Sequence, residues 1–307
     1  MNLQPQPFRS PPRGLLPALA ALILCFAIPL YRLGRFALGS EFYSYILVIP
    51  AISVGLAWLR EPQPHAPSPS RPSPPARRAA VILLAMGVAL AAVAGIAAAT
   101  GRGGPPPDLL AVAALAFGLL FSGLCGWFLG RRTFRSLAFP LAFLVLLAPL
   151  PMSVSNALEA FLQHSSAAVA SVFFDWAGMP VLNRGDLGFQ LPGMNLEVAP
   201  QCSGLRSTLS LFITSLPAGF LFLRSPWRRA ALSLATLPVG IIRNGFRILT
   251  IGELCVRVGP RMIDSYIHRE GGWIFFILSL GPLVVLLLLL IRAERAVPVS
   301  NAKPAIT

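Results

Sequence analysis

A chain of 307 residues that is 55% hydrophobic and only 12% charged, with a mean hydropathy of +0.72, is too apolar for a soluble globule, in which about 25% of residues are charged. Its net charge of +14 would suggest nucleic acid in a soluble protein; here the arginines cluster between apolar runs, so topology accounts for them and no nucleic-acid partner is expected. Four cysteines, at 25, 125, 202 and 255, have neither metal-ligand spacing nor a disulfide framework, and no metal or cofactor is expected.

Residues 1–14 form a short tail bearing Arg9 and Arg13. The apolar run 15–31 resembles a signal peptide, but no small-residue cleavage site follows it, so it reads as an uncleaved anchor. A second span covers 42–59. Residues 61–78 are rich in Pro and Ser and read as a polyproline-like cytoplasmic linker. The third span, 79–100, is rich in Ala and Gly, which suits close helix packing. The fourth covers 109–129 and the fifth 136–150, which runs into Pro149 and Pro151.

Residues 153–178 carry Glu159, Gln163, His164 and Asp175 among apolar residues at helical spacing, as an amphipathic interfacial helix would. Residues 187–198 read as a short β-hairpin turning at Pro192 and Gly193. Spans six to eight cover 202–223, 230–251 and 271–291, each near the 20 or so residues needed to cross a bilayer. A second tail covers 293–307. The expected fold is therefore an all-α polytopic membrane protein of about eight transmembrane helices in one domain, 15–292. An interfacial helix and a hairpin precede helix six. There is no internal repeat.

Basic residues set the orientation. With the N-terminus inside, 15 of the 25 basic residues fall on inner segments, among them Arg77, Arg78, Arg131, Arg132, Arg135, Arg224, Arg228 and Arg229. Of the 11 acidic residues, only Glu61 and Glu294 fall there. Every loop pair obeys the positive-inside rule, with both termini cytoplasmic.

The polar loop entering span six, Ala-Pro-Gln-Cys-Ser-Gly-Leu-Arg-Ser at 199–207, is where chemistry concentrates. A helix starting at Cys202 stacks it near Arg206, and Ser203 near Ser207. A thiol at a helix N-terminus beside a guanidinium is favoured as thiolate. Cys25 and Cys125, inside apolar runs, read instead as small hydrophobes. The topology brings Arg243, Asn244 and Arg247, near the outer end of span seven, to the same membrane level. It does the same for His268, just before span eight. Thiol, imidazole and guanidinium are the parts for thiolate acyl transfer. Each has a plainer reading: Arg243 and Arg247 as snorkelling interfacial anchors, His268 as a loop residue. Their convergence on one face favours the enzymatic one.

Three segments together resemble the exosortase/archaeosortase family of integral-membrane cysteine transpeptidases. They are Cys-Ser-Gly-Leu-Arg-Ser at 202–207, Asn-Gly-Phe-Arg-Ile at 244–248, and Ile-His-Arg-Glu-Gly-Gly-Trp at 267–273. Weaker support comes from Ser-Tyr-Ile-Leu-Val-Ile-Pro at 44–50 and Gly-Met-Pro-Val at 178–181. The resemblance runs from about residue 42 to residue 292. It implies Cys202 as nucleophile, Arg247 as the essential arginine and His268 as the third active-site residue, with Ser203, Gly204, Arg206 and Asn244 in support. It also implies exported protein substrates with a C-terminal signal: a short motif such as Pro-Glu-Pro, a transmembrane helix and a basic cluster. These are cut on the periplasmic side of the inner membrane. Membrane lipid is the other partner; oligomeric state is open. Many relatives carry an acidic residue and Ala just before the cysteine, where this chain has Pro200 and Gln201, which leaves the signal motif it reads open.

Two other classes compete. A rhomboid-like serine protease needs a Gly-Xaa-Ser motif, and a magnesium-dependent transferase needs paired aspartates; the chain has neither. A transporter or assembly scaffold would carry charge in mid-span, whereas here it gathers at the outer ends. A reporter fused after Arg224 is expected to remain cytoplasmic; its appearance outside would overturn this topology.

Overall fold

The apolar runs fold as helices, because a segment without water around it has to satisfy its N–H and C=O groups internally. The computed structural model describes residues 12, 14–59, 74–101, 104–183, 185, 187–192, 194–264 and 272–296. The chain divides into two compact units, Met1–Ser155 and Asn156–Thr307. Most of the two expected tails, the linker residues 61–73, and His268 with its neighbours lie outside the described residues; residues 74–78 of the expected linker belong to a helix.

In the first unit, α1 (Leu15–Cys25) and α2 (Ala27–Gly39) bend by 64° at Phe26. Pro29 explains the break, since a proline ring clashes with the carbonyl four residues earlier, here that of Cys25. A 3-10 turn, Ser44–Leu47, leads into the short α3 (Ile49–Trp58). The long α4 (Pro74–Thr100) and α5 (Pro106–Ser136) form an antiparallel pair in which Leu120 lies over Gly87 and Leu84 over Gly123, close packing of the kind the small residues of this span lead one to expect. Next comes α6 (Ala138–Phe143), continued by a 3-10 turn to Leu147 and broken before Pro149 and Pro151. The break is held by the Tyr43 hydroxyl, donating to the Leu150 carbonyl at 3.1 Å, and by Asp108, accepting from the Met152 amide at 2.8 Å.

The helix α7 (Met152–Trp176) leads into the second unit. It is amphipathic: Gln163, Ser166, Ala167, Ala170 and Phe174 are buried, and Phe161, Val172 and Trp176 are exposed on the opposite side. A three-stranded antiparallel sheet follows in the order β1 (Leu182–Asn183), β2 (Gly188–Leu191), β3 (Met194–Glu197). The hairpin expected over 187–198 is β2–β3, and β1 adds a short third strand. Phe189, Leu191, Leu196 and Val198 bury one side of the sheet together with Ala167, Ala170 and Phe174 of α7.

The remaining helices are α8 (Leu205–Phe222), α9 (Pro226–Leu234), α10 (Thr236–Arg257) and α11 (Gly272–Ala296). Pro238 ends α9 at Leu234 as Pro29 ends α1. Leu211, Leu223, Leu232 and Leu283 are buried together at their core. The Glu294 carboxylate of α11 accepts from the Arg224 and Ser225 amides at 2.9 and 2.8 Å, pinning the end of α11 to the end of α8. The first turn of α11 therefore lies at the end of this bundle where α8 begins. There Phe275 meets Phe246 of α10, ring centroids 6.4 Å apart.

Among the described residues, five helical stretches are long and apolar enough to cross a membrane, and up to seven if the pairs α1–α2 and α6–α7 each count as one. The expected eight is thus approximate: the run at 42–59 folds as a 3-10 turn and the ten-residue α3. The chain is a multi-pass helical membrane protein.

Close approach of α7 and α10 depends on Gly245. A Cβ there would lie 2.7 Å from Val169 Cγ1 and 3.2 Å from the Ala170 amide nitrogen. Gly245→Ala is expected to destabilise the protein by about 1–3 kcal/mol through overpacking. Thermal unfolding in detergent should show this, with partial recovery in Gly245→Ala/Val169→Ala.

Candidate active site

The segment carrying Cys202 is built from turns, not helix. Its first element is a 3-10 turn, Pro200–Cys202, closed by the Cys202 amide donating to the Ala199 carbonyl at 2.8 Å. Gly204 follows at φ +78°, a left-handed conformation that strains any residue with a Cβ. Only then does α8 start, at Leu205. The expected helix from Cys202 thus begins three residues later, and Cys202 precedes the helix N-terminus. Arg206 is exposed on the first turn of α8, and Cys202 lies before that turn. Ser203 is buried, its hydroxyl accepting from the Leu205 amide at 3.4 Å.

α10 reaches into this turn with two polar side chains. Asn244, 1% exposed, donates from Nδ2 to the Cys202 carbonyl at 2.7 Å. Arg243, 6% exposed, donates to the Gly204 carbonyl at 3.4 Å. Arg243 is therefore a buried structural cation, and the snorkelling reading does not describe it. Asn244 Oδ1 is buried with no hydrogen-bond partner among the described residues. Thr208 lies over Gly240, one turn along each helix from the Gly204–Asn244 contact. This sets α8 and α10 antiparallel, with Cys202 and Arg247 at the same end.

On the other flank, the sheet holds the turn. The Val198 amide donates to the Leu187 carbonyl at 2.9 Å, and the Val198 carbonyl accepts from the Gln163 amide group of α7. Gln163, expected on an interfacial face, is thus a buried strut, whereas His164 is exposed and turned back to the Ala160 carbonyl.

Between sheet and helix lies a shallow cleft lined by Leu196, Glu197, Val198, Cys202, Asn244, Arg247, Ile248 and Ile251. The last four from α10 fall at i, i+3, i+4 and i+7, a single helix face. The structure thus brings together the expected Cys202, Asn244 and Arg247 across 45 positions of sequence. Ser203 and Gly204 shape the turn beneath them. Arg206 does not line the cleft. His268 lies outside the described residues; the chain resumes at Gly272, and Phe275 touches the neighbour of Arg247. The apolar half of the cleft was missed by sequence reasoning, although Ile248 and Ile251 follow Asn244 at helical spacing. Among the described residues no cluster of His, Cys, Asp or Glu could hold a metal ion.

A family model described as transmembrane exosortase (Exosortase_EpsH) matches residues 34–285. No curated protein and no solved structure matches the chain.

A Cβ at Gly204 would lie 2.9 Å from Asn244 Cγ and 3.0 Å from an Arg243 guanidinium nitrogen. Gly204→Ala combines this clash with about 1–2 kcal/mol of left-handed strain. Asn244→Asp replaces a buried donor by an acceptor facing the Cys202 carbonyl, at a cost of about 1–3 kcal/mol. Both are expected to lower the melting temperature and change the alkylation rate of Cys202, measured on membranes with a Cys25, Cys125 and Cys255-free background.

Proposed function

The chain belongs to the transmembrane exosortase family, and from that premise we propose that it is a membrane cysteine transpeptidase acting on exported proteins, with Cys202 as nucleophile. The observation that carries this reading is the convergence of Cys202, Asn244 and Arg247 on one cleft, each from a segment that the family resemblance singles out. In the proposed reaction the Cys202 thiolate attacks the scissile carbonyl, forming a C–S bond and a tetrahedral oxyanion. Arg247 keeps its proton and so acts electrostatically, on that oxyanion or on a substrate carboxylate. His268 takes the thiol proton and returns it to the leaving amine as the C–N bond breaks. The resulting thioester passes the acyl group to an acceptor nucleophile, whose proton returns to His268. Ser203, Gly204, Arg206 and Asn244 are placed in support; the geometry around Gly204 and Asn244 favours holding the turn.

The substrates in this proposal end in a short motif, an apolar helix and a basic cluster. Cleavage takes place on the periplasmic face of the inner membrane, with both termini cytoplasmic, an orientation supported by the arginine distribution.

Cys202→Ala and Cys202→Ser are expected to abolish processing of a co-encoded protein with such a terminus, while the protein stays in the membrane; Cys255→Ala should process normally. Arg247→Lys keeps the charge but loses the planar fork and should lose most activity. In His268→Ala, Cys202 should alkylate more slowly at neutral pH and recover as pH rises, since hydroxide then replaces the missing base. The alkylation rate of Cys202 against pH in wild type, Arg247→Lys and His268→Ala checks this. An unchanged profile and unchanged processing in His268→Ala would remove the histidine from the mechanism.

A further inference from the structure

Among the described residues, the sheet beside Cys202 has an edge with no strand paired to it. β3 is the outermost strand in the order β1-β2-β3, and no described strand lies beyond it. Its register with β2 pairs Leu191 with Met194, Gln190 with Asn195, Phe189 with Leu196 and Gly188 with Glu197. Hydrogen-bonded and non-hydrogen-bonded pairs alternate along an antiparallel ladder. The Val198 amide bonds the Leu187 carbonyl, so the bonded positions of β3 are Val198, Leu196 and Met194. The backbone N–H and C=O groups of Asn195 and Glu197 therefore point away from β2. Among the described residues none of these four groups has a backbone partner.

This edge runs into the cleft. Of the three strands only β3 contributes to the lining, through Leu196 and Glu197, and the wall continues through Val198 to Cys202. Leu196 is buried in the core beneath, whereas Asn195 and Glu197 are exposed, so the strand is anchored by one face and open at its rim. Pro200, which has no N–H, ends the edge just before the thiol. Asn195 to Glu197 covers about 7 Å, room for a segment of three to five residues at most.

We propose that the edge of β3 is the substrate-docking strand: an extended segment of the exported protein next to its scissile bond adds to the sheet through the backbone groups of Asn195 and Glu197, which delivers the following carbonyl to Cys202. This rests on the transpeptidase reading above and names how its substrate is held. Strand addition reads the main chain and leaves discrimination to the alternate side chains. The apolar α10 face, Ile248 and Ile251, and Arg247 then meet the side chains on one side of the added strand.

The test traps the complex in an inactive, otherwise Cys-free enzyme. Asn195→Cys or Glu197→Cys is placed in the full chain carrying Cys202→Ala, Cys25→Ala, Cys125→Ala and Cys255→Ala. It is co-expressed with a reporter fused to the C-terminal segment of a co-encoded protein that ends in a motif, an apolar helix and an arginine cluster. Single cysteines are walked through that reporter upstream of the apolar helix, and disulfide formation is scored. Opposed positions on adjacent strands bring Cβ atoms within about 5.5 Å, so yields should alternate with a period of two, favoured positions exceeding their neighbours by about fivefold. The best reporter position should shift by two residues between Asn195→Cys and Glu197→Cys. Its direction tells parallel from antiparallel addition. Crosslinks without periodicity, without the two-residue shift, or none at all would overturn the docking proposal. As a second measurement, Glu197→Pro removes an edge donor without touching the β2 ladder; processing is expected to fall at least about tenfold, while Cys202 alkylation stays within about twofold, reporting an intact turn. Unchanged processing would also overturn it. The transpeptidase reading fails separately, if Cys202→Ala still processes the reporter.

Discussion

The carbonyl groups of Cys202 and Gly204 are received by Asn244 and Arg243, two neighbouring side chains buried on α10. A buried guanidinium without partners would cost several kcal/mol, so this contact penalises any arrangement that separates the turn from α10. It also fixes register. Thr208 meets Gly240 and Gly204 meets Asn244; sliding one helix past the other by a turn would move the donors about 5.4 Å from their acceptors. The left-handed Gly204 is what makes the approach possible, because a side chain there would occupy the space of the Asn244 carboxamide. Position of the thiol is thus a consequence of helix register, set by these polar contacts.

The sheet supplies the opposing constraint. Gln163 takes the Val198 carbonyl, and four side chains of β2, β3 and the residue after them close an apolar core with α7. Leu196 and Val198 belong both to that core and to the cleft wall, so the wall is rigid because its other side is packed. The turn 199–204 hangs between two anchored ends. That explains how a half-buried cysteine outside any α-helix keeps a defined place.

Much of this was legible in residue order. The apolar runs became helices, Pro192 and Gly193 marked a hairpin, and Cys202, Asn244 and Arg247 were expected at one level. The arginine pattern gave spans in alternating directions, and the antiparallel α8 and α10 follow that alternation. What was not legible depends on tertiary contact. The start of α8 at Leu205 follows from Gly204 turning left-handed toward Asn244, which no local propensity dictates. Arg243 looks the same in sequence whether it snorkels or turns inward, and only the Gly204 carbonyl opposite decides. Gln163 similarly looked like one polar residue on an amphipathic face. The breaks at Phe26 and Ala235 were readable, since each lies three residues before a proline; hydropathy alone smoothed over them.

For the proposed transpeptidase, the character of the cleft bears on the fate of the acyl group. Leu196, Val198, Ile248 and Ile251 line it with hydrocarbon, beside the polar groups of Glu197, Cys202, Asn244 and Arg247. In such surroundings the effective dielectric is low, and a fixed guanidinium stabilises a developing oxyanion more strongly than it would in water. The same hydrocarbon disfavours bulk water next to a thioester, and hydrolysis competes with transfer only where water reaches the carbonyl. An acceptor that brings its own binding energy to the cleft then gains an advantage over water present at far higher concentration. In the proposed reaction a mainly apolar wall with Arg247 beside Cys202 would serve both halves: it would strengthen the attack that forms the thioester and preserve that thioester for its acceptor.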